Sequence, residues 1–440
     1  VVVDLGGTKD TQKILSDLNN CYPISNDRIG QNVRQYLGEI NAQFVRQAVI
    51  AVQSGDAQLL GTLMSRVQVE FDRSLIPACP EQLTAPKLHS LLNHAALQPC
   101  IYGGKGVGSQ GDGTAQLVAK DRTSQQDAIA IIHRDFPQMQ ALSLTISPQS
   151  QVKKAVIPAA GFGTRMFPAT KVVKKELLPI IDRDGRAKPI ILKIVEEAIA
   201  AGIEEVGIIV QQGDLEVFQE FFDKPPSDKL LAKLSPENRE YSQYLQDLGK
   251  RITFILQEQQ EGFGHAVFCA KDWVNNEPFL LLLGDRVYQT QNELSCAGQL
   301  LAAFDQNNCS VIGLTVMPGE IIHREGCATG VWKQPNSLLE ISQFYEKPDL
   351  EYAKAHLHVP GMPESDFLGV FGMYVLKPEI FDYLATEIAR NLRYKGEFQL
   401  TTCLDSLRQA TGLLGYLVEG QYFDVGIPEF YRQSMQDFSI

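Results

Sequence analysis

Short apolar runs, each ended by glycine, proline or a polar turn, divide the second part of this chain into alternating strand and helix signals. Residues 155–158, 206–210, 253–256 and 279–283 are unbroken apolar stretches of strand length, the pattern of strands buried on both faces. Between the first two, 189–201 carries apolar positions at helical spacing, with Gly202 placed as its C-terminal cap. This alternation predicts an α/β fold, a mostly parallel sheet with helices on both faces. Ligands of such sheets bind beyond the carboxyl ends of the strands. Residues 223–250 are charged and, after Pro225-Pro226, helical in pattern. They read as an inserted surface element, a solvated helix pair or else a homo-oligomer contact. The chain divides near 147–153, where Pro148-Gln-Ser-Gln is polar and turn-prone, so two domains are expected, 1–148 and 149–440.

The strand at 155–158 runs into Ala159-Ala-Gly-Phe-Gly-Thr-Arg165, and Lys175-Glu-Leu-Leu-Pro179 follows. Glycines let the backbone turn sharply and aim several N–H groups at one anion. The arginine and lysine add fixed positive charge beside that cradle. The combination suits the pyrophosphate end of a nucleotide. A bare Gly-x-Gly would be no more than an ordinary strand-to-helix turn; Gly-x-Gly-Thr-Arg with a later Lys-x-x-x-Pro is far more specific. A Rossmann dehydrogenase is excluded, because the third glycine of Gly-x-Gly-x-x-Gly would fall on Met166.

More motifs follow in order: Gly262-Phe-Gly-His-Ala266, Leu283-Gly-Asp285, Tyr345-Glu-Lys-Pro348, Gly396-Glu-Phe-Gln-Leu-Thr401 and Phe423-Asp-Val-Gly426. On these, the segment from about 153 to 431 resembles sugar-1-phosphate nucleotidyltransferases, most closely the bacterial UTP–glucose-1-phosphate uridylyltransferases. The resemblance implies a Rossmann-like nucleotidyltransferase sheet. It also implies that a sugar 1-phosphate attacks the α-phosphorus of UTP, with Mg2+ as cofactor and pyrophosphate leaving. Such catalysis is positioning and charge neutralisation, with no side-chain nucleophile.

The implied roles fall on named residues. Backbone around Ala160, Gly161, Gly163 and Thr164 would hold the triphosphate. Arg165 would neutralise the departing pyrophosphate, and Lys175 would contact the phosphates at the reaction centre. Asp285 and Asp424 would hold the metal. Gln257, with backbone near Gly264, would read the base, and its amide suits uracil and thymine equally. Lys347 would bind the sugar phosphate, Glu346 would accept from ring hydroxyls, and Gly369 and Glu397 would touch the sugar. His265 is read as structural. Arg286 departs from the family, where an acid or a small residue is usual; it would weaken metal binding or contact a phosphate.

A net charge of −12 argues against nucleic acid as a partner. It leaves room for an anionic substrate, since Arg165, Lys171, Lys174 and Lys175 form a local basic cluster beside the loop. No apolar run is long enough to cross a membrane, and no charged-then-apolar leader opens the chain. Eight scattered cysteines without a Cys-x-x-Cys read as reduced thiols, so a cytoplasmic protein is expected.

Residues 1–148 hold a second glycine-rich run, Gly103-Gly-Lys-Gly-Val-Gly-Ser-Gln-Gly-Asp-Gly113. So many glycines imply close backbone approach or repeated positive φ in a tight turn. This part resembles the α+β C-terminal half of GHMP-type sugar kinases, without that superfamily's main ATP loop. The resemblance implies a C-terminal piece of a kinase–nucleotidyltransferase fusion whose first part is not by itself a working kinase. Asp4-Leu-Gly-Gly-Thr8 mimics an actin-like kinase loop, but Asp10-Thr11 caps an expected helix over 12–18 instead. Two alternatives stay open for the second part: a non-catalytic scaffold module, and a transferase using dTTP or a uronic acid or pentose 1-phosphate.

Overall fold

The computed structural model describes residues 1–22, 27–144 and 150–438. The chain falls into two compact units, Val1–Pro148 and Gln149–Ile440. The polar turn read between them lies, at 147–149, outside the described residues.

The first unit is an antiparallel sheet of β1 (Val2–Asp4), β2 (Ile101–Gly106), β3 (Thr114–Ala119) and β4 (Gln140–Leu142), in the order β2-β3-β1-β4. The turn after β1 enters the helix Thr11–Asn20, whose N-cap Asp10 accepts from the Lys13 amide. The glycine-rich run is a strand and a turn rather than an open loop. At Gly103 (φ 156) a Cβ would lie 2.1 Å from the Gly61 carbonyl oxygen, on the helix Ala57–Leu75. Gly108 and Gly111 take φ 60 and 74 in the turn to β3. Helix packing and turn geometry therefore account for these glycines.

In the second unit, β5 (Lys154–Pro158) leads through the ribbon of β6 (Pro179–Ile181) and β7 (Ala187–Pro189) into the helix Ile190–Ala200. Gly202 follows that helix with φ 95, as a cap requires. Then come β8 (Glu205–Val210), β9 (Ile252–Leu256), β10 (Phe279–Leu282), β11 (Arg286–Gln289) and β12 (Val311–Pro318). The last strands are β13 (Gly326–Gln334), β14 (Leu338–Glu346), β15 (Asp366–Leu376), β16 (Leu414–Leu417) and β17 (Gln421–Asp424). Nine of them form one sheet, ordered β12-β16-β14-β13-β15-β10-β5-β8-β9.

The four apolar runs are β5, β8, β9 and β10, and they pair in parallel. Alternate residues serve opposite faces. Ala155, Ile157, Leu280 and Leu282 enter one core; Val156, Phe279 and Leu281 enter the other. The expectation of a mostly parallel sheet needs correction, because the other half is largely antiparallel. There β13 and β14 are joined by a short turn, which only antiparallel strands allow. Residues 223–250 contain the helices Asp228–Leu231 and Pro236–Gly249.

All eight cysteines are free thiols. Among the described residues no helix is long and apolar enough to cross a membrane.

Gly103→Ala should destabilise the first unit by about 1–3 kcal/mol, the usual cost of overpacking. Hydrogen–deuterium exchange should then speed up in β2 and in the helix Ala57–Leu75, and not in the second unit. Unchanged protection in those elements would contradict the packing account.

Candidate active site

Strands β5 and β10 are parallel neighbours, so their carboxyl ends place the loop 159–165 beside Gly284 and Asp285. The two backbones nearly touch. A Cβ at Gly284 would sit 2.3 Å from the Pro158 carbonyl oxygen. Within the loop, Gly163 has φ 66, and its carbonyl accepts from Thr170 Oγ1 at 2.9 Å. Lys174 donates to the Gly161 carbonyl at 2.9 Å and pairs with Asp214 at 2.8 Å. Lys174 therefore braces the loop from behind. Gly161 is different: its φ is not positive, and a Cβ there would meet nothing within 4 Å. Neither packing nor backbone geometry demands that glycine.

The two aspartates come together through a ribbon. Strands β11 and β17 pair antiparallel with Arg286 opposite Asp424, which brings Asp285 alongside. Gly426 lies between the carboxylates; its Cβ would be 2.7 Å from Asp285 Oδ2 and 3.2 Å from Asp424 Oδ1. Its amide donates to Asp424 at 2.8 Å. Lys175, 110 residues before Asp285, donates to it at 2.7 Å, and Arg165 stands 3.7 Å away. Burial would raise the Asp285 carboxyl, but Lys175 and the neighbouring arginines hold it below the usual range. Burial and then the Asp285 charge push Asp424 up. Among the described residues, no third acid, histidine or cysteine completes a metal cage. Two carboxylates suit a hard cation whose shell is filled by ligand phosphates.

On the far wall, Glu346 accepts from Thr401 Oγ1 at 3.0 Å, and Lys347 has φ 50 with its amide on the Glu325 carbonyl at 3.1 Å. One cavity of about 1280 Å³ joins these parts. That exceeds the roughly 300–1,000 Å³ of a typical small-molecule pocket. Its walls include Ala160, Gly161, Gly163, Thr164, Arg165, Lys175, Gln257, Asp285, Glu346, Lys347, Glu397 and Asp424.

Two expected residues take other roles. The Gly264 amide donates to the Phe398 carbonyl at 2.9 Å, and a Cβ there would press on Gln399 backbone at 2.9 Å. It lets a helix approach a neighbouring segment, and its amide is taken up by that segment. Gly369 lies under Met317, whose sulfur would be 1.9 Å from its Cβ, and Met317 rather than Gly369 lines the cavity. His265 is structural, engaging Gln257 Nε2 at 3.0 Å.

Arg286 adds positive charge that favours the ionised form of both aspartates. It is buried, and its guanidinium grips Glu325. Glu325, Thr401 and Glu176 are cavity residues that motif reading passed over. Thr401 and Glu176 stood inside recognised motifs, whereas Glu325 had no local signal.

Residues 154–439 match the nucleotidyl transferase family, and the chain belongs to it. Within that family the chain is similar to the UTP–glucose-1-phosphate uridylyltransferase of Staphylococcus haemolyticus. Identity there is 36% over 279 residues, covering 63% of this chain and 88% of the relative. The Staphylococcus epidermidis enzyme of the same name is 38% identical over 280 residues, with the same coverage. Among solved structures, a UDP-glucose pyrophosphorylase complexed with UDP-glucose aligns at a TM-score of 0.54 and 28% identity. That alignment covers 65% of this chain and 98% of the other. The UTP-bound UGPase from Acinetobacter baumannii aligns at 0.53 and 26%, covering 65% and 93%.

Glu176 gives the site a pH signature. Both carboxyl oxygens are buried without a hydrogen-bond partner, with Lys175 Nζ 3.8 Å from one of them. Burial pushes this carboxyl up to about 7 from an ordinary 4.5. Between those values the unfolded chain loses the proton while the folded chain keeps it, so stability falls as pH rises. Glu176→Gln should therefore gain stability over the wild type across that window, by about 3 kcal/mol above it. Urea denaturation at several pH values measures this. A difference that is flat with pH would contradict the assignment.

Proposed function

We propose that the second unit joins UTP to glucose 1-phosphate or a related sugar 1-phosphate, releasing pyrophosphate, with Mg2+ held by Asp285 and Asp424. The observation that carries this reading is the single cavity in which the glycine loop, two cations, two carboxylates and the Glu346–Lys347 pair converge. The names of the relatives supply the nucleotide and the sugar.

Attack by a phosphate oxygen of the sugar 1-phosphate forms the new bond at the α-phosphorus. The bond from that phosphorus to the bridging oxygen breaks, and pyrophosphate carries away the electron pair. Both reactants are anions, and their repulsion in a partly desolvated cleft amounts to several kcal/mol. Free amides near Gly161 and Gly163 hold the triphosphate, while Arg165 balances charge building on the leaving group. Lys175 sits at the reaction centre, already beside Asp285. Lys347 holds the sugar phosphate, and Glu346, oriented by Thr401, accepts from ring hydroxyls. When bound, the divalent cation adds further neutralisation of the phosphates. The attacking oxygen is ionised already, so no general base is required.

Base choice rests on Gln257. Its amide nitrogen is engaged by His265 and by the Gly262 carbonyl at 3.4 Å, which leaves its oxygen for the imide N–H of uracil. Thymine presents the same edge.

We extend the proposal to the first unit as the C-terminal portion of a GHMP-type kinase fused to this transferase. Its four-stranded antiparallel sheet with helices is compatible with that α+β class. A kinase acting at the anomeric carbon would supply the transferase with its sugar 1-phosphate.

Pyrophosphate release with Mg2+, UTP or dTTP, and a panel of sugar 1-phosphates tests the reading. Release is expected with UTP and glucose 1-phosphate, and Asp285→Asn should abolish it. Release with glucuronic acid 1-phosphate in preference to glucose 1-phosphate would move the sugar to a uronic acid. No release from folded protein with any pair would overturn the proposal. Lys175→Ala and Arg165→Ala should each lower kcat roughly 10²–10³-fold, as loss of a preorganised charge stabiliser does. Rates near wild type would remove those two roles.

A further inference from the structure

Arg286 follows Asp285 directly, and its surroundings explain what it does. Its guanidinium donates to both Glu325 oxygens, at 2.5 and 2.6 Å, and to the Val370 carbonyl at 3.1 Å. It also stacks 4.3 Å from the centre of the Tyr422 ring. Room for it is made by Gly372, in the middle of β15, where a Cβ would meet Arg286 Cδ at 2.6 Å. Both terminal nitrogens are engaged by protein acceptors.

The pair is a junction between parts of the site that are remote in sequence. Arg286 follows Asp285 directly and is the register partner of Asp424. Tyr422, which stacks on it, lies on the same strand as Asp424 and places its hydroxyl 3.4 Å from Glu325. At the other end, the Glu325 carbonyl accepts from the Lys347 amide at 3.1 Å, where Lys347 takes its positive φ. The next residue, Gly326, pairs in register with Glu346. One ion pair thus touches the aspartate ribbon on one side and the sugar-phosphate motif on the other.

Resting on the reading of the site given above, we propose that Arg286–Glu325 is a positioning strut setting the distance between the Asp285–Asp424 carboxylates and the Glu346–Lys347 motif. Stability alone is a poor reason for such a pair. Removing two charges from water costs several kcal/mol per ion, and well-packed apolar replacements are often as stable. The contact does fix geometry, because Nη2 bonds both Glu325 oxygens while Nη1 of the same planar group is held by the Val370 carbonyl. The two anionic substrates must meet within about 3–3.5 Å for attack, so an error in this separation falls directly on the reaction.

The double variant Arg286→Met with Glu325→Leu separates positioning from stability. Three quantities are read: thermal unfolding, Mn2+ binding in the presence of UTP by the electron paramagnetic resonance signal of the free ion, and the KM of each substrate. The strut predicts a folded protein with Mn2+ binding weakened at least about tenfold, the scale of an outer-shell loss. The KM for glucose 1-phosphate should rise by a similar factor, with the KM for UTP changed less than about twofold, since the UTP loop lies elsewhere. A folded variant with wild-type Mn2+ binding and wild-type KM for the sugar phosphate overturns the strut. Should the double variant not fold, Arg286→Lys decides by the same readouts, because it keeps the charge and loses the planar group that bonds Glu325 and Val370 at once. Should the wild type release no pyrophosphate, the proposed reaction fails on its own, and Mn2+ binding alone still upholds or overturns the strut.

Discussion

Two carboxylates held side by side in a half-buried cleft repel one another, and the second unit is organised around making that tolerable. The β11–β17 ribbon forces Asp285 and Asp424 together, with only a glycine, Gly426, between them. In return, Lys175 and Arg165 face Asp285, and the Gly426 amide serves Asp424. In the proposed reaction the same cations would meet the incoming triphosphate, so charge that stabilises the empty site would already be placed for the substrate, with little reorganisation on binding.

The parallel half of the sheet supplies the other constraint. Because β5 and β10 are neighbours and point the same way, the glycine loop after one and Asp285 after the other meet without a dedicated scaffold. The antiparallel half then returns the chain so that Glu346 and Lys347 stand across the cleft. Side chains from two halves of one sheet thus line a single cavity, which is what the proposed transfer between two bound anions requires.

What the sequence disclosed, and what it hid, follows from range. The four strands β5, β8, β9 and β10 were legible because burial on both faces leaves continuous apolar runs. The helix Ile190–Ala200 was legible from its spacing and from Gly202. The site residues were legible mainly through short motifs such as Gly161-x-Gly-Thr-Arg165, in which local spacing reflects local geometry. The antiparallel half was not, since β13 to β15 alternate less clearly and their pairing depends on a turn rather than on pattern. Gly264 and Gly369 were read as ligand contacts, though each is glycine because a neighbour presses on it. The Glu325 partner of Arg286 had no local signal at all; a contact across 39 residues is visible only in three dimensions. The glycine run in the first unit was legible as close backbone approach or positive φ in a tight turn, and its glycines serve both, against the helix Ala57–Leu75 and in the turn to β3.

The measurement that bears most directly on this account is a crystal structure with Mn2+ and UTP, read by anomalous scattering. The account predicts a manganese peak within coordination distance of both Asp285 and Asp424, with the triphosphate lying on the Gly161–Gly163 backbone. A nucleotide bound elsewhere, or a metal that leaves both aspartates uncoordinated, would contradict it.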